Sequence, residues 1–392
     1  MKKHLSFYFC QALVFSFMLA GFGATAQIAI NNIEDLQQIG LSAAFPLNGN
    51  YVLARDIDAT ETASWANGAG FAPIGDFTTP FTGNFDGQDH VIRGLVINRP
   101  VVDHVGLFSA VGTDGSVRRL GLTEVSITGK NKVGSLAGIN LGDISYCYAT
   151  GTVACIDLYG GGLVALNDCM GTILSCYADT SVSGRYYLGG LAGENIGAIM
   201  TCFATGNITG TGTSGGLIGY HNGILKDCYA RTVVIVEDTL GSLTGENGSG
   251  AVISRCYGTG LVQGSNLAGG LTGFRSLGGS TTASYWDTES TLQLTSEGGE
   301  GRTTDQMTHP YAATVYEGWN FDWVWAMDTD SGANDGYPYL RDNPPPTLQT
   351  QGCAGCGGAA GKLGIKSALG DYLFVGLSAV VLICMNKARP RG

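Results

Sequence analysis

The chain has 392 residues, 62 of them glycine, and a formal net charge of −11. Glycine at roughly twice the average share, without a Gly-X-Y period, excludes collagen, and the aliphatic content is too high for a disordered chain. Between Gln27 and Gly352, 14 Lys plus Arg stand against 31 Asp plus Glu, a net −17, and such a surface repels nucleic acid and other acidic polymers. Neutral, cationic and metal-bridged partners stay open.

Residues 1–26 read as a secretory signal. Lys2 and Lys3 open it, an apolar run extends from Leu5 to about Ala20, and Ala24-Thr25-Ala26 predicts a cut between Ala26 and Gln27. The apolar run falls short of the ~20 residues a membrane span needs. Residues 27–105 form an entry segment ahead of the repeats.

Residues 106–284 repeat about every 27 positions. A Gly-Gly-Leu-x-Gly phrase places leucines at Leu107, Leu136, Leu163, Leu191, Leu217, Leu243 and Leu271, with spacings of 29, 27, 28, 26, 26 and 28. A Cys-aromatic-Ala phrase keeps step at Leu120, Cys147, Cys176, Cys202, Cys228, Cys256 and Ser284. A fixed period of this size means stacked repeats, each burying its apolar face on its neighbours. Short β-branched runs alternate with Gly-containing turns, and no helical stripe occurs. The expected fold is all-β, a single-stranded parallel β-helix with two or three strands per turn, an N-terminal entry segment and a C-terminal cap. A Greek-key sandwich competes, but it would not need the same residue types at the same place in every repeat.

In a β-helix equivalent positions stack ~4.8 Å apart. Alternation from each Cys puts Cys, Ala, a small residue and Val on one face, predicted to be the interior. The opposite face takes Tyr148, Tyr177, Phe203, Tyr229, Tyr257 and Tyr285. Outward rings in a column offer a surface for sugar rings; the plainer reading is a structural ladder packed on adjacent turns. Asn140, Asn167, Asn195 and Asn247, with His221 in one rung, predict a hydrogen-bonded amide ladder. The stacked cysteines are expected as buried free thiols, because parallel Cβ atoms ~4.8 Å apart exceed disulfide geometry. Cys155 and Cys169 lie outside the ladder and are open to pairing.

Residues 285–342 form a Trp/Tyr-rich cap. Residues 343–370 are a linker that begins with Pro344-Pro345-Pro346, a stiff break, and holds a Gly/Cys motif with Cys353 and Cys356. Residues 371–392 carry an apolar stretch to Met385 followed by Lys387, Arg389 and Arg391, which predicts a cytoplasmic tail end. The arrangement resembles bacterial C-terminal sorting signals. It implies processing near Cys353 and Cys356, or simple retention as a membrane anchor, with the body outside the cytoplasm.

The phrases Val133-Gly134-Ser135-Leu136-Ala137-Gly138, Gly189-Gly190-Leu191-Ala192-Gly193 and Gly215-Gly216-Leu217-Ile218-Gly219 resemble the GLUG repeat of bacterial surface proteins. That repeat is found in adhesins and ahead of the catalytic domain of immunoglobulin A-cleaving metallopeptidases. The entry segment (Tyr51–Asp58, Phe81–Gly87) and the exit (Ser284–Thr288, Gly318–Phe321, Gly336–Leu340) are similar too. The resemblance implies a right-handed β-helix at the cell surface and assigns no catalytic residues.

Chemistry leaves few traces. The five histidines, His4, His90, His104, His221 and His309, have no His-Glu-x-x-His spacing, so zinc peptidase chemistry has no ligand set. No Gly-x-Ser-x-Gly elbow stands on a strand-to-helix turn. Glu194 and Glu246 occupy equivalent positions two coils apart with Tyr220 between them, ~9.6 Å by rung spacing, at the outer edge for an inverting glycosidase pair. The bland alternative is two solvated turn glutamates. Asp328, Asp330 and Asp335 crowd oxygen ligands around glycines as calcium loops do, without the distal Glu of an EF-hand. The expected role is an exported, non-enzymatic adhesin or binding module for a surface glycan or protein, needing no cofactor unless calcium fills that loop. A polysaccharide-degrading enzyme is the alternative, and a structural spacer the third.

Overall fold

A computed structural model describes residues 27–346. Three parallel sheets run along one coil of about 7 turns. Sheet A stacks ten short strands from Ile28–Ile30 to Ser280–Thr282, sheet B runs from Ile57–Asp58 to Glu300–Arg302, and sheet C stacks seven strands from Phe108–Val111 to Thr272–Arg275. The only antiparallel strand pair among the described residues, Trp325–Ala326 with Tyr339–Leu340, lies outside the coil. The sandwich alternative, which needs antiparallel pairing throughout, therefore falls. Parallel pairing begins at Ile28, so the entry segment already builds sheets A and B.

The corner between sheets A and B is the same in seven successive turns. Arg119, Tyr146, Ser175, Thr201, Asp227, Arg255 and Ala283 all have φ between 44° and 54°, a left-handed conformation costing about 1–2 kcal/mol in a non-glycine residue. The next residue turns inward, and from Cys147 onward it repays the strain with hydrogen bonds. The Cys176 backbone N–H donates to the Cys202 Sγ at 3.3 Å, and the Cys202 thiol donates to the Met200 carbonyl at 3.1 Å. Cys147, Cys176, Cys228 and Cys256 donate in the same way to the carbonyl two residues back. At Ser284 a hydroxyl takes over, accepting from the Cys256 N–H at 3.1 Å and donating to Thr282 at 2.8 Å. The five ladder cysteines are buried free thiols, and beyond filling space they relay hydrogen bonds from rung to rung.

The seven leucines, Leu107 to Leu271, form one wholly buried interior column. Successive members bond through their backbones: Leu136 N–H to Leu163 O at 2.8 Å, then Leu163 to Leu191, Leu191 to Leu217, Leu217 to Leu243 and Leu243 to Leu271 at 2.9–3.0 Å. The closing glycine of the phrase has a steric reason. A Cβ on Gly219 would lie 2.5 Å from the Tyr187 carbonyl carbon, and one on Gly138 2.7 Å from the His104 backbone. The chain leaving sheet B thus folds flat against the outside of sheet C.

At the third corner the amide ladder forms and then breaks. Asn140 Nδ2 donates to Asn167 Oδ1 and Asn167 Nδ2 to Asn195 Oδ1, both at 2.8 Å. Asn195 Nδ2 then donates to His221 Nδ1 at 3.1 Å, which leaves the proton on Nε2, directed to the Val252 carbonyl at 3.3 Å. His221 has no donor for the next rung, and both side-chain polar atoms of buried Asn247 lack a partner. Burial brings the His221 pKa from 6.5 down to about 4. The unfolded chain therefore binds a proton that the folded one refuses across that window. Stability is full above pH 6.5 and falls as pH drops towards 4, by roughly 2–3 kcal/mol if nothing compensates. His221→Asn is expected to flatten this acid limb and, by giving Asn247 a donor, to stabilise at pH 7 by about 1–2 kcal/mol. Urea midpoints of both proteins at pH 7 and pH 4.5 test it; an equal acid-induced loss in the variant would refute the assignment.

Candidate ligand-contact site

The aromatic column stands outside the coil interior, as alternation predicts, but not in solvent. Rings stack rung on rung: Tyr148–Tyr177 at 4.9 Å, Tyr177–Phe203 and Phe203–Tyr229 at 4.8 Å, and Tyr229–Tyr257 at 5.0 Å, all within 6° of parallel. Over them lies the chain after Asp287, which does not simply close the last turn but runs back along sheet B as a strap. Met307, Val315, Tyr316, Trp319, Trp325, Tyr337 and Leu340 pack with Tyr177, Phe203, Tyr229, Tyr257 and Tyr285 in one buried cluster. The C-terminal part of the strap is pinned to two separate places on the coil. Tyr257 Oη donates to the Pro338 carbonyl at 2.9 Å, and Asn343 Nδ2 donates to the carbonyls of Cys176 and Thr201 at 3.1 and 3.2 Å. Tyr177, Phe203, Tyr229, Tyr257 and Tyr285 are at most 5% exposed, so the column expected to offer rings to sugars seats the strap instead. Only Tyr148, at its end, is half-buried.

The predicted calcium loop is turned to the same purpose. The Asp328 carboxylate accepts the backbone N–H groups of Ala333, Asn334 and Gly336 at 3.2, 2.6 and 2.8 Å. Burial alone would raise its pKa, but these donors bring it below the ordinary value. Asp335 pairs with Arg231, which also donates to Asn334 Oδ1 at 2.7 Å and lies over the Tyr337 ring. Asp330 lies within hydrogen-bond reach of Asp328 while Asp335 is turned to Arg231, and among the described residues no group of three His, Cys, Asp or Glu side chains is placed to hold a metal. The loop locks the strap to sheet B. Cys155 and Cys169 lie in different clusters, the first in the coil interior and the second against an outer patch with Ile139 and Leu166. Of the processing residues, Gln27 begins the described chain, while Ala26, Cys353 and Cys356 lie outside the described residues.

Glu194 and Glu246 fall where the period puts them. Glu194 pairs with Tyr220 and Tyr220 with Glu246 in adjacent strands of sheet C. They belong to its outward column, which starts apolar at Ala110, Ile139 and Leu166 and continues Glu194, Tyr220, Glu246, Phe274. Beside them stand two rings absent from the sequence reading, Tyr159 and Tyr187. Both occupy left-handed corners, with φ of 68° and 55°, where the chain crosses from sheet B to C. Their rings stack at 5.2 Å, and Tyr220 meets Tyr187 edge-on at 5.8 Å. All three tyrosines and both glutamates are half-buried. A signal for the corner rings existed, since each is the fourth residue before the phrase leucine, Leu163 or Leu191.

One electrostatic field joins the five. Burial, then the Glu194 charge, pushes Tyr159 up to about 12. Tyr187 and Tyr220 rise through burial and then through the charges of Glu246 and Glu194. Glu246 itself is raised by burial, partly offset by a hydrogen bond from Ser276. Lys132 and the Tyr187 ring cover the two faces of Tyr159, and the carboxylates beside them can accept hydrogen bonds.

Trp325 tests the division of labour between the two faces. It is fully buried, packs at a tilt against Trp319 with ring centroids 4.3 Å apart and directs its N–H to Asp227, itself paired with Arg255 at 2.6 Å. Trp325→Ala is expected to cost ~3–5 kcal/mol in urea unfolding and to leave ligand binding at the strip unchanged. A loss under about 1 kcal/mol would mean the strap is not integral to the coil.

The family described as "The GLUG motif" matches residues 131–154 and 184–209, two turns that each carry the phrase leucine and the corner cysteine. Halomucin of Haloquadratum walsbyi is 40% identical over 145 residues, 35% of this chain and 2% of that protein. A provisionally named Gly-rich membrane protein of Evansella cellulosilytica is 39% identical over 98 residues, 24% of this chain and 11% of that protein. The chain thus spans a small part of the length of the curated relatives it matches. A solved structure from Bacteroides ovatus, described as a provisional immunoglobulin A1 protease, aligns with 81% of this chain and 93% of its own at 20% identity and a TM-score of 0.49. Motif and architecture agree: the chain carries two matches to the GLUG motif within a parallel β-solenoid.

Proposed function

We propose that this protein is an exported, surface-held binding module, a short adhesin that lays a glycan along the sheet C strip. The observation that carries the reading is the column Glu194–Tyr220–Glu246 flanked by Tyr159 and Tyr187. Here half-buried rings and acceptors face out from a rigid sheet, while the other ring column is consumed by the strap. The relatives' names, halomucin and a Gly-rich membrane protein, suit a role at the cell boundary, and the basic-ended tail would hold the body there.

The polysaccharide-degrading alternative asks more of the same residues. An inverting pair needs open space between its carboxyl groups for water and the scissile bond. Here a phenol occupies the intervening rung, with Tyr187 against it. Glu194→Gln and Glu246→Gln are therefore expected to alter binding and no turnover. A glycan array on the purified chain, followed by turnover assays on every bound sugar, is the test. Cleavage of any ligand that either substitution abolishes would replace the adhesin reading with the enzymatic one.

A further inference from the structure

Sheet B has a second outward surface, on the half of its long strands that the strap leaves open. Register places Ser126, Thr152, Ser181 and Asn207 in one column of adjacent strands, and Thr128, Ala154, Ser183 and Thr209 in the next. The array closes on Val233 and Ile235. Its columns repeat every rung, ~4.8 Å, and stand two residues apart along the strand, ~6.6 Å. The hydroxyls of Ser126, Ser181, Ser183 and Thr209 belong to exposed residues, while the Thr152 hydroxyl turns back to the Val125 carbonyl at 3.5 Å. None of these residues is charged, although the body as a whole is strongly acidic. Charge resumes at the margins, at Lys130 and Asp179, at Glu124 paired with Arg93, and at Arg185 turned to Asp157 and the Tyr186 ring.

We propose that this array adsorbs to ice, holding a layer of water in the order of the crystal surface. The assignment follows from what the face has and what it lacks. Without charge it has no grip on an ionic polymer, and repulsion between two acidic bodies opposes a second copy. Without an aromatic ring it has no stacking platform for a crystalline polysaccharide. What it has is a net of hydroxyls interleaved with threonine methyls, Ala154, Val233 and Ile235, and the two repeats of that net are comparable in size with those of water oxygens on a face of ice. Each hydroxyl both donates and accepts, so it can take the place of a lattice water. The methyl groups beside it offer no competing hydrogen bond. Strands bonded on both sides keep the net rigid, so contact with a solid adds no ordering cost in the protein. The face is separate from the sheet C strip, and the inference stands without the glycan reading.

The test is partitioning of the purified full-length chain into slowly grown ice, with serum albumin as the reference, and inhibition of ice recrystallisation in sucrose solution. The chain is expected to enter ice about tenfold more than albumin. Ser181→Arg and Thr209→Arg should each bring it down to the albumin level, because a long side chain that keeps its charged head in water holds the face off a flat crystal. Val252→Arg puts the same charge on an exposed position of sheet A and should leave partitioning unchanged. Ala154→Thr supplies the missing hydroxyl of its column and should raise recrystallisation inhibition about twofold. Melting temperatures within a degree or two of the parent establish that each variant is folded, and if an arginine variant does not fold, the gain from Ala154→Thr decides. Partitioning no better than albumin overturns the proposal. So does full activity in folded Ser181→Arg and Thr209→Arg, or an equal loss in Val252→Arg. Binding to crystalline cellulose or chitin that the two array arginines abolish, with no entry into ice, gives the face to a polysaccharide and overturns it too. None of these results bears on glycans bound at the sheet C strip, so the two readings fail separately.

Discussion

From Cys147 onward the turns of this coil share one backbone constraint, a left-handed corner followed by a short side chain that bonds to its own turn and to a neighbouring one. The corner is sterically costly in a non-glycine residue, and from Tyr146 onward a hydrogen-bonding side chain offsets it. A thiol of the right length does so by donating to the carbonyl two residues back and accepting the neighbouring rung's N–H, as Cys202 does. That Ser284 makes the same pair of bonds with a hydroxyl identifies the requirement as a short side chain that both donates and accepts. Once this corner is fixed, register is fixed everywhere else. Ring columns inherit the rung spacing of 4.8–5.0 Å, and leucines, amides and carboxylates align without further specification.

That dependence explains what could be read from the chain alone. The period placed the Leu107–Leu271 column, the amide ladder and the Glu194–Tyr220–Glu246 alignment, because each needs only that equivalent positions stack. It also separated the ring face from the thiol face. What lies over the ring face was not legible. The strap has no period, and its contacts join residues far apart in sequence, such as Arg231 with Asn334 and Cys176 with Asn343. Alternation gives the direction of a side chain from its strand, and nothing about a second layer. Tyr159 and Tyr187 escaped for the opposite reason. They sit at corners, where a positive φ suspends the alternation that strand reading relies on. The Asp328 loop reads the same either way in sequence, since oxygen-rich glycine turns suit calcium and backbone amides alike; in the fold the Asp328 carboxylate accepts three backbone N–H groups.

The two outward faces that carry aromatics have been put to different uses, and the difference is one of cover. On sheet B the rings form a continuous apolar column, a surface too extended to leave in water, and the strap buries it. On sheet C the rings are interrupted by carboxylates. Covering those would need a buried counter-charge for each, as Asp227 has in Arg255, and unpaired burial of charge is prohibitive. A face that alternates Glu, Tyr and Glu therefore stays at the surface for the same physical reason that the Tyr–Phe–Tyr face does not. The amide ladder adds a contrast inside the coil. Where His221 replaces an amide, the break is tolerated at the cost of an unpartnered Asn247, because one faulty rung is held by the backbone bonds of its neighbours.

Rung spacing also decides what such a face can do. Carboxylates on a parallel solenoid can be separated only by whole rungs. One rung apart, ~4.8 Å, they would repel each other across little more than a hydrogen-bond length. Two apart, they approach the range of a hydrolytic pair, but the residue between them then determines whether a bond and a water can enter. With Tyr220 in that place, and the Tyr187 ring against it, the gap is filled by a flat phenol. Sheet strands bonded on both sides do not yield to let it move, so the strip cannot be converted into a cleft by a small shift. The same rigidity favours a long ligand, since each rung it crosses adds a contact without a new ordering cost in the protein. On the proposed reading, a repeating polymer is the ligand that such a repeating surface would engage.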